Sequence, residues 1–185
     1  ETKVGRGNLQ EAEGLVRADY GTVRLRHPQF QPAREVTLDL GLLDPHLVAF
    51  HDFDPRAGAE YNRLAISLIS AASTQELRRV LLVSAQHGEG RTCVLLNLAA
   101  ALSRAGQRVL VIDSDLLRPS TLRLLGVDAV MGLTEAVACG RNLGDALVRL
   151  LPMDFTLLPT RAQVENAAEL LAAPSFRGML QMLSP

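Results

Sequence analysis

The sequence predicts an α/β fold, a parallel β-sheet flanked by helices, and three features predict it. Residues 80–83 form a short apolar run that leads directly into a glycine-bearing turn. The segment behind that turn, residues 92–105, has the apolar period of a helix, and residues 109–112 form a second apolar run. Parallel strands need a crossover connection, so strand, helix and strand in this order indicate one crossover unit.

The N-terminal part of the chain differs in composition from the rest. It is rich in glycine and proline, and its short alternating pieces over residues 22–26 and 36–40 predict brief strands. We therefore expect residues 1–55 to form an irregular arm or linker and residues 56–185 to form the main domain. Apolar side chains within residues 42–53 predict that the arm docks on that domain.

Further elements follow from apolar periodicity and from residues that begin or end helices. Residues 59–72 carry the i, i+3, i+4, i+7 stripe of an amphipathic helix. Gly106 is placed to end the helix over residues 92–105. The remaining predicted elements are helices over residues 119–125 (with Ser120 near the start and Gly126 at the end), 134–139, 143–150 (opened by Asn142), 167–172 (capped by Asn166) and 176–183 (capped by Ser175), and a strand over residues 155–158.

Composition excludes several classes of protein. A net charge of −1 gives no electrostatic reason to expect binding to nucleic acid or to a membrane surface. No apolar run approaches the roughly 20 residues that cross a bilayer. Cys93 and Cys139 are too few for a disulfide framework, and no His or Cys pair has the spacing of metal ligands. We therefore expect a cytoplasmic protein with no nucleic-acid partner.

The turn over residues 84–92 has the plan of a phosphate-binding P-loop, in which a strand, a glycine-bearing loop and a helix follow one another. Glycines let successive backbone N–H groups point into one concavity, at the N-terminus of a helix whose dipole favours an anion. Gly90 and Thr92 match the general pattern, whereas Ala85 stands at its first glycine and Arg91 at its lysine. The loop alone leaves open whether the nucleotide site works.

A second group of polar residues follows residues 109–112. Ligands of a parallel sheet lie beyond the carboxyl ends of its strands, so Asp113 and Asp115 are expected near Thr92. A threonine hydroxyl and an aspartate there would form an octahedral Mg²⁺ environment together with waters and phosphate oxygens. An aspartate could instead accept a proton from an attacking hydroxyl. The alternative is that both aspartates only cap the turn before Pro119.

Landmark segments occur in a fixed order along the chain. They are residues 84–90, residues 97–102, residues 109–120, Leu124-Leu125-Gly126, Gly132-Leu133-Thr134 and residues 166–171. Together they resemble the bacterial tyrosine kinases (BY-kinases) of exopolysaccharide and capsule synthesis, from about Glu60 to the C-terminus. The resemblance implies a P-loop parallel sheet flanked by helices and autophosphorylation of tyrosines with MgATP. It also implies a cytoplasmic domain that associates with the membrane through a polysaccharide co-polymerase, either fused or as a separate activating chain.

The resemblance implies roles for individual residues. The loop and its flanks would hold the phosphates of ATP or ADP through Gln86, His87, Gly88, Glu89, Gly90, Arg91, Thr92 and Cys93. Thr92, Asp113 and Asp115 would bind Mg²⁺. Asp113 and Asp115, with Arg91, would also be the catalytic residues.

A helix motif of the family concerns assembly. Glu60 and Arg63 match a motif that the family uses for ring-like self-assembly, which implies a homo-oligomer through the helix over residues 59–72. Ile66 stands where the motif has its last arginine, and this departure weakens the case for a ring.

Several departures from the family concern catalysis. Arg91 replaces the phosphate-binding lysine, and Leu117 stands where the second acidic motif has arginine. The chain stops at Pro185, before the expected strand with the third acidic motif. Tyr20 and Tyr61 are the only tyrosines, so the usual tyrosine-rich tail is absent. The three substitutions at functional positions, Arg91, Leu117 and Ile66, favour a family member that has lost catalysis over a shortened chain.

Two alternatives remain beside an active kinase. One is a catalytically inactive pseudokinase that acts as an assembly or regulatory partner in polysaccharide export. The other is a septum-site or plasmid-partition ATPase, whose P-loop carries an extra lysine where this chain has Gln86.

Overall fold

The computed structural model describes residues 32–51, 54–75, 78–138 and 142–183. Its sheet consists of β1 (Arg34–Thr37), β2 (Leu110–Ile112), β3 (Val148–Leu151) and β4 (Phe155–Leu158). The strand order is β1-β3-β4-β2. β1 is parallel to β3 and β2 is parallel to β4, whereas β3 and β4 form an antiparallel hairpin.

Helices surround this sheet. They are α1 (Pro55–Gln75), α2 (Arg91–Arg104), α3 (Thr121–Leu125), α4 (Leu133–Ala138), α5 (Leu143–Ala146), α6 (Ala167–Ala172) and α7 (Pro174–Met182). The α/β class, with helices flanking an open sheet, is confirmed. Gly106 and Gly126 end α2 and α3 as predicted, with φ angles of 79° and 63° that favour glycine. None of the described helices is long and apolar enough to cross a membrane.

The prediction of a strand over residues 80–83 is wrong. These residues have no regular secondary structure, and Val80, Leu81 and Val83 are 51%, 80% and 75% exposed. Within the described ranges no backbone hydrogen bond joins them to a strand of the sheet, and β2 pairs only with β4. A strand needs a neighbouring strand to satisfy its N–H and C=O groups, so apolar composition alone does not produce one. The predicted crossover unit is therefore not formed.

The helix predicted over residues 143–150 is correct only in its first turn. α5 ends at Ala146, and the chain continues as β3. Val148 and Leu150 are buried while Arg149 is partly exposed, which is the alternation of a strand. β3 lies between β1 and β4 and forms ladders on both sides, and these contacts override local propensity. Since β3 is antiparallel to β4, the sheet is mixed, although we expected it to be parallel.

The predicted N-terminal helix caps are confirmed at one helix and only in part at two others. Asn142 begins α5 as predicted, and its Oδ1 accepts a hydrogen bond from the Gly144 N–H at 3.2 Å. Asn166 lies at the N-cap of α6 but makes no side-chain capping bond. α7 begins at Pro174, before the predicted cap Ser175, because proline at the first position of a helix loses no intrahelical hydrogen bond.

Hydrophobic side chains cluster on both faces of the sheet. One cluster joins Val111 and Leu157 to α2, and the other joins Leu158 to α4, α6 and α7. Leu157 and Leu158 take part in different clusters because successive residues of a strand point to opposite faces. The described part of the expected arm contributes to the first cluster through Leu47 and Phe50. β1 overlaps the brief strand predicted over residues 36–40 only at residues 36–37. The piece predicted over residues 22–26 lies outside the described residues.

Asn97 in α2 ties the loop over residues 44–50 to the helix. Its buried side chain accepts a hydrogen bond from the Ala49 N–H at 2.7 Å and donates to the carbonyl oxygens of His46 and Cys93 at 2.8 and 2.9 Å. A buried amide is stable only when its polar atoms are paired. The loop and α2 therefore take up their positions together.

Candidate functional site

The glycine-bearing loop over residues 84–90 is solvent-exposed along most of its length and ends at the first residue of α2. Gly88 and Gly90 have φ angles of 84° and 81°, in the left-handed region that side chains disfavour. The Ser84 hydroxyl donates to the Gln86 carbonyl at 2.9 Å, and the Gln86 N–H donates to Glu89 Oε2 at 3.3 Å. These bonds curve the backbone into a turn that leads to the free N–H groups of a helix start.

Arg91, the first residue of α2, connects this loop to the acidic loop after β2, which is residues 113–120. Its Nη2 donates to Asp115 Oδ2 at 3.1 Å, and the two side chains are 36% and 32% exposed. The other Asp115 oxygen, Oδ1, accepts from the Arg118 N–H at 3.0 Å. The structure thus brings together the two loops that the sequence analysis expected to be neighbours.

Thr92 is joined to the acidic loop by a second contact. The Ser120 hydroxyl donates to Thr92 Oγ1 at 2.9 Å, in a partly buried position. The sequence analysis used Ser120 only as a helix-start signal and did not assign it to the site. A hydroxyl within a few residues of Asp115 was the available signal, and it was not specific.

Asp113 is buried, and its carboxylate is hydrogen-bonded within its own turn. It is 5% exposed, and its Oδ2 accepts hydrogen bonds from Thr121 Oγ1 at 2.7 Å and from the Thr121 N–H at 3.4 Å. Its Oδ1 accepts from the Asp115 N–H at 3.2 Å. Burial raises the pKa of the Asp113 carboxyl, and the bonds from Thr121 and Asp115 only partly offset that rise. These contacts are those of a residue that organises its own turn.

Thr160 fixes the backbone of Asp113 from the far side. Its buried hydroxyl donates to the Asp113 carbonyl at 2.6 Å, and the Asp113 N–H donates to the Leu158 carbonyl at 3.0 Å. Sequence reasoning missed Thr160. A hydroxyl residue just beyond the end of β4 was the signal, because the parallel partner β2 ends at the same edge.

The other residues predicted to bind nucleotide line the loop without meeting the aspartates. Gln86, His87 and Glu89 are exposed, and the Glu89 carboxylate is engaged with the Gln86 N–H. Cys93 is partly buried, and burial, reinforced by the negative charge of Asp44, raises the pKa of its thiol. A thiol in this setting stays protonated at neutral pH and acts as a packing group.

The side chains present do not fit a Mg²⁺ ion in this arrangement. Thr92 Oγ1 accepts from Ser120, and all four carboxylate oxygens of Asp113 and Asp115 accept hydrogen bonds from protein donors. A Mg²⁺ site at these residues would require several of these bonds to break.

Two further predicted features lie on α1. Glu60 and Arg63 form an exposed ion pair one turn apart. Tyr61 is partly buried and packs with Leu98 of α2 in a small cluster. Tyr20 lies outside the described residues.

Comparison with known proteins gives the following relatives. No protein-family model matches the chain. The chain is 30% identical over 121 residues to the tyrosine-protein kinase wzc of Salmonella typhi, which covers 65% of the chain and 17% of that protein. It is 25% identical over 114 residues to the tyrosine-protein kinase YwqD of Bacillus subtilis (strain 168), covering 62% and 48%. It is 28% identical over 185 residues to the putative tyrosine-protein kinase AmsA of Erwinia amylovora, covering 97% and 26%. The chain therefore spans less than half the length of these relatives.

Solved structures give the same picture of the fold. The kinase domain of the Escherichia coli tyrosine kinase ETK matches with a TM-score of 0.68 at 22% identity, covering 86% of the chain and 69% of that domain. The BceF tyrosine kinase domain matches with a TM-score of 0.63 at 25% identity, covering 74% and 55%.

Proposed function

Because the chain is a divergent member of the bacterial tyrosine kinase family, we propose that it is a nucleotide-binding domain of capsule or exopolysaccharide synthesis. We further propose that it binds nucleotide as a pseudokinase and does not transfer a phosphoryl group to tyrosine. The observation that carries the proposal is the loop with Gly88 and Gly90 at positive φ, which ends at the N-terminus of α2 and directs Arg91 toward the acidic loop.

Nucleotide binding follows from what this loop offers to an anion. The N–H groups of Arg91, Thr92 and Cys93 lie in the first turn of α2, where a helix has no internal partners for them. The positive end of the helix dipole adds to their attraction for phosphate. No heavy atom lies within 4 Å of the position where a Cβ would stand on Gly88 or Gly90, so the backbone is open to a close ligand.

The absence of phosphoryl transfer is supported by the state of the acidic residues. A general base must reach the proton it removes, and the Asp113 carboxylate is instead buried against Thr121. Asp115 is paired with Arg91, so neither aspartate faces a hydroxyl that could attack a phosphate. The one tyrosine in the described part of the chain, Tyr61, is packed in a helix and does not form an extended acceptor segment.

The partners and location are part of the same proposal. The domain works in the cytoplasm beside a membrane polysaccharide co-polymerase, either fused or as a separate activating chain, and it acts there as an assembly or regulatory partner. Self-association through α1, where Glu60 and Arg63 form an exposed pair, is the proposed route to an oligomer. These statements extend the family resemblance to this chain.

Calorimetric titration of ADP and ATP into the full chain tests the proposal. We expect both nucleotides to bind, and Gly90→Asp should weaken their binding about tenfold or more. A side chain at positive φ strains the backbone of the loop. A carboxylate among the phosphate-binding N–H groups also repels the anion and competes for those donors. Gly58→Ala is the matched control, since Gly58 lies in α1 with no atom near its Cβ position. No heat from either nucleotide would contradict nucleotide binding.

Incubation with labelled ATP, divalent cations and the activating chain tests the pseudokinase part. We expect no phosphotyrosine by mass spectrometry or by antibody, and a kinase of the same family serves as the positive control. Phosphate on any tyrosine of this chain, lost in an Asp115→Asn variant, would show that it is an active kinase.

A further inference from the structure

We propose that the site takes its nucleotide as the metal-free polyphosphate, with the guanidinium of Arg91 in the position that a divalent cation takes in magnesium-dependent sites. The inference rests on the proposed nucleotide binding and adds the ionic form of the ligand. The structure carries it in three steps: the oxygens that would hold a cation are in use, one carboxylate faces inward, and a fixed cation already bridges the two loops.

The first step concerns Thr92 and Asp115. A hard divalent cation binds through oxygen lone pairs and tolerates few competing donors at the same atoms. Ser120 donates to Thr92 Oγ1, while the Arg118 N–H and Arg91 donate to the two oxygens of Asp115. Protein donors, one of them the charged guanidinium of Arg91, therefore already occupy positions beside the oxygens that a cation would bind.

The second step concerns Asp113. Its carboxylate receives the Thr121 hydroxyl, the Thr121 N–H and the Asp115 N–H, and Thr160 holds its carbonyl. Turning the carboxylate toward the glycine loop would leave the buried Thr121 hydroxyl without its acceptor, since Thr121 is 0% exposed. Asp113 is thus committed to the fold and is not available to a cation at the loop.

The third step concerns Arg91 itself. A guanidinium is planar, permanently charged and carries five N–H donors, so one nitrogen can stay on Asp115 while others bind phosphate oxygens. Arg91 lies at the first position of α2, directly after Gly90, where a bound polyphosphate would meet the loop N–H groups. Its side chain is 36% exposed, so it is accessible to a ligand from solvent. Arg91 therefore neutralises both the carboxylate and the ligand, as a bridging cation does.

Titration of ADP into the full chain in EDTA and in excess Mg²⁺, at matched ionic strength, tests the proposal. We expect binding in EDTA that is at least as tight as in Mg²⁺, and weaker binding in excess Mg²⁺ because the cation removes the free polyphosphate. Binding that requires Mg²⁺ would overturn this inference and leave nucleotide binding intact. The absence of binding under both conditions would overturn nucleotide binding itself, and this inference with it.

Variants sharpen the same titration. In EDTA we expect Arg91→Lys to weaken ADP binding about tenfold, because an ammonium cannot serve the carboxylate and the phosphates with a planar fork. Arg104→Lys, at the exposed last residue of the same helix, is the matched control and should change nothing. Asp115→Asn should strengthen binding in EDTA, because it removes the carboxylate that competes for Arg91. A loss of binding in Asp115→Asn would contradict the proposal.

A titration with a metal alone provides an independent measurement that involves no nucleotide. Mn²⁺ followed by electron paramagnetic resonance should stay free in the presence of the full chain, and Asp115→Asn should give the same spectrum. Stoichiometric Mn²⁺ binding that this variant abolishes would overturn the inference. Thermal melts of every variant, beside that of the unchanged chain, establish that each one is folded.

Discussion

Residues 80–83 and β2 are both short apolar runs that precede a polar loop, yet only β2 lies in the sheet. β2 has β4 as a parallel partner, and the loop after it is fixed by Asp113, Thr121 and Thr160. Residues 80–83 have no strand beside them in the described part of the chain, and the loop after them is exposed. An apolar run therefore becomes a strand only where the tertiary structure supplies a hydrogen-bonding partner.

Amide hydrogen exchange should separate the two runs by the largest factor. We expect the amides of residues 80–83 to exchange close to the rate of an unstructured chain. The amides of β2 and β4 should be slowed by a factor on the order of 10³ or more, since opening them requires disruption of the core. Exchange followed by mass spectrometry on peptides that cover each run makes the measurement. Equal protection of both runs would show that residues 80–83 are paired in solution.

Alanine substitutions at two glycines compare the steric freedom of two regions, the exposed loop over residues 84–90 and the backbone beside the end of β4. A Cβ on Gly132 would lie 2.3 Å from the Pro159 carbonyl oxygen, so Gly132→Ala must move backbone and should lower the free energy of unfolding by about 3 kcal/mol. Gly88→Ala meets no atom within 4 Å, and its positive φ should cost only about 1 kcal/mol. Denaturant titration gives both values. A larger loss at Gly88 than at Gly132 would contradict the greater steric freedom of the exposed loop.

Paired hydroxyl deletions test the same contrast at the polar contacts. Thr121→Val removes a fully buried donor to Asp113 and should cost about 2 kcal/mol of unfolding free energy. Thr92→Val removes a partly buried contact to Ser120 and should cost about 0.5 kcal/mol or less. Urea unfolding of both variants makes the measurement, and indistinguishable midpoints would contradict the stated difference between the loops.

The pH dependence of stability should give the smallest effect. The pKa of Asp113 is raised above its ordinary value of 3.8 because of burial, so the folded state binds its proton more tightly than the unfolded state. This contribution is fully present below pH 3.8 and is lost as the pH rises through the raised pKa. Asp113→Asn lacks it. The stability of the unchanged chain minus that of Asp113→Asn should therefore fall as the pH rises through this window.

Denaturant titrations of both proteins across that pH range give this difference. The lost hydrogen bonds add an offset that does not vary with pH, so the slope carries the information. A difference that is flat, or that rises with pH, would contradict a raised pKa at Asp113.

Local sequence patterns predicted the helices better than the sheet. The bounds of α2 and α3 follow from apolar periodicity and from Gly106 and Gly126, which are signals that act within a few residues. The strand that replaces the predicted helix after Ala146 depends on pairing with β1, more than 100 residues earlier in the chain. A local window of sequence contains β4, the other partner of β3, but not β1.

The candidate site was predictable in its position and not in its internal contacts. The rule that ligands lie beyond strand ends led to the expectation that Thr92, Asp113 and Asp115 share one region, although residues 80–83 do not form the strand that the rule assumed. Which oxygen faces which donor is decided by side chains from other loops, namely Ser120 and Thr160, and by the inward turn of Asp113. The sequence shows that Arg91 stands where the P-loop pattern has lysine. The pairing of Arg91 with Asp115 is visible only in the structure.

The three hydrogen bonds of Asn97 have a mechanical consequence. They hold the loop over residues 44–50 against α2 one turn beyond Cys93, so the two segments should move together. A displacement of the loop over residues 44–50 would therefore reach the first turn of α2 directly, through Asn97 and not through the sheet. Substitutions in this loop should therefore alter the start of α2 even though the two segments are far apart in sequence.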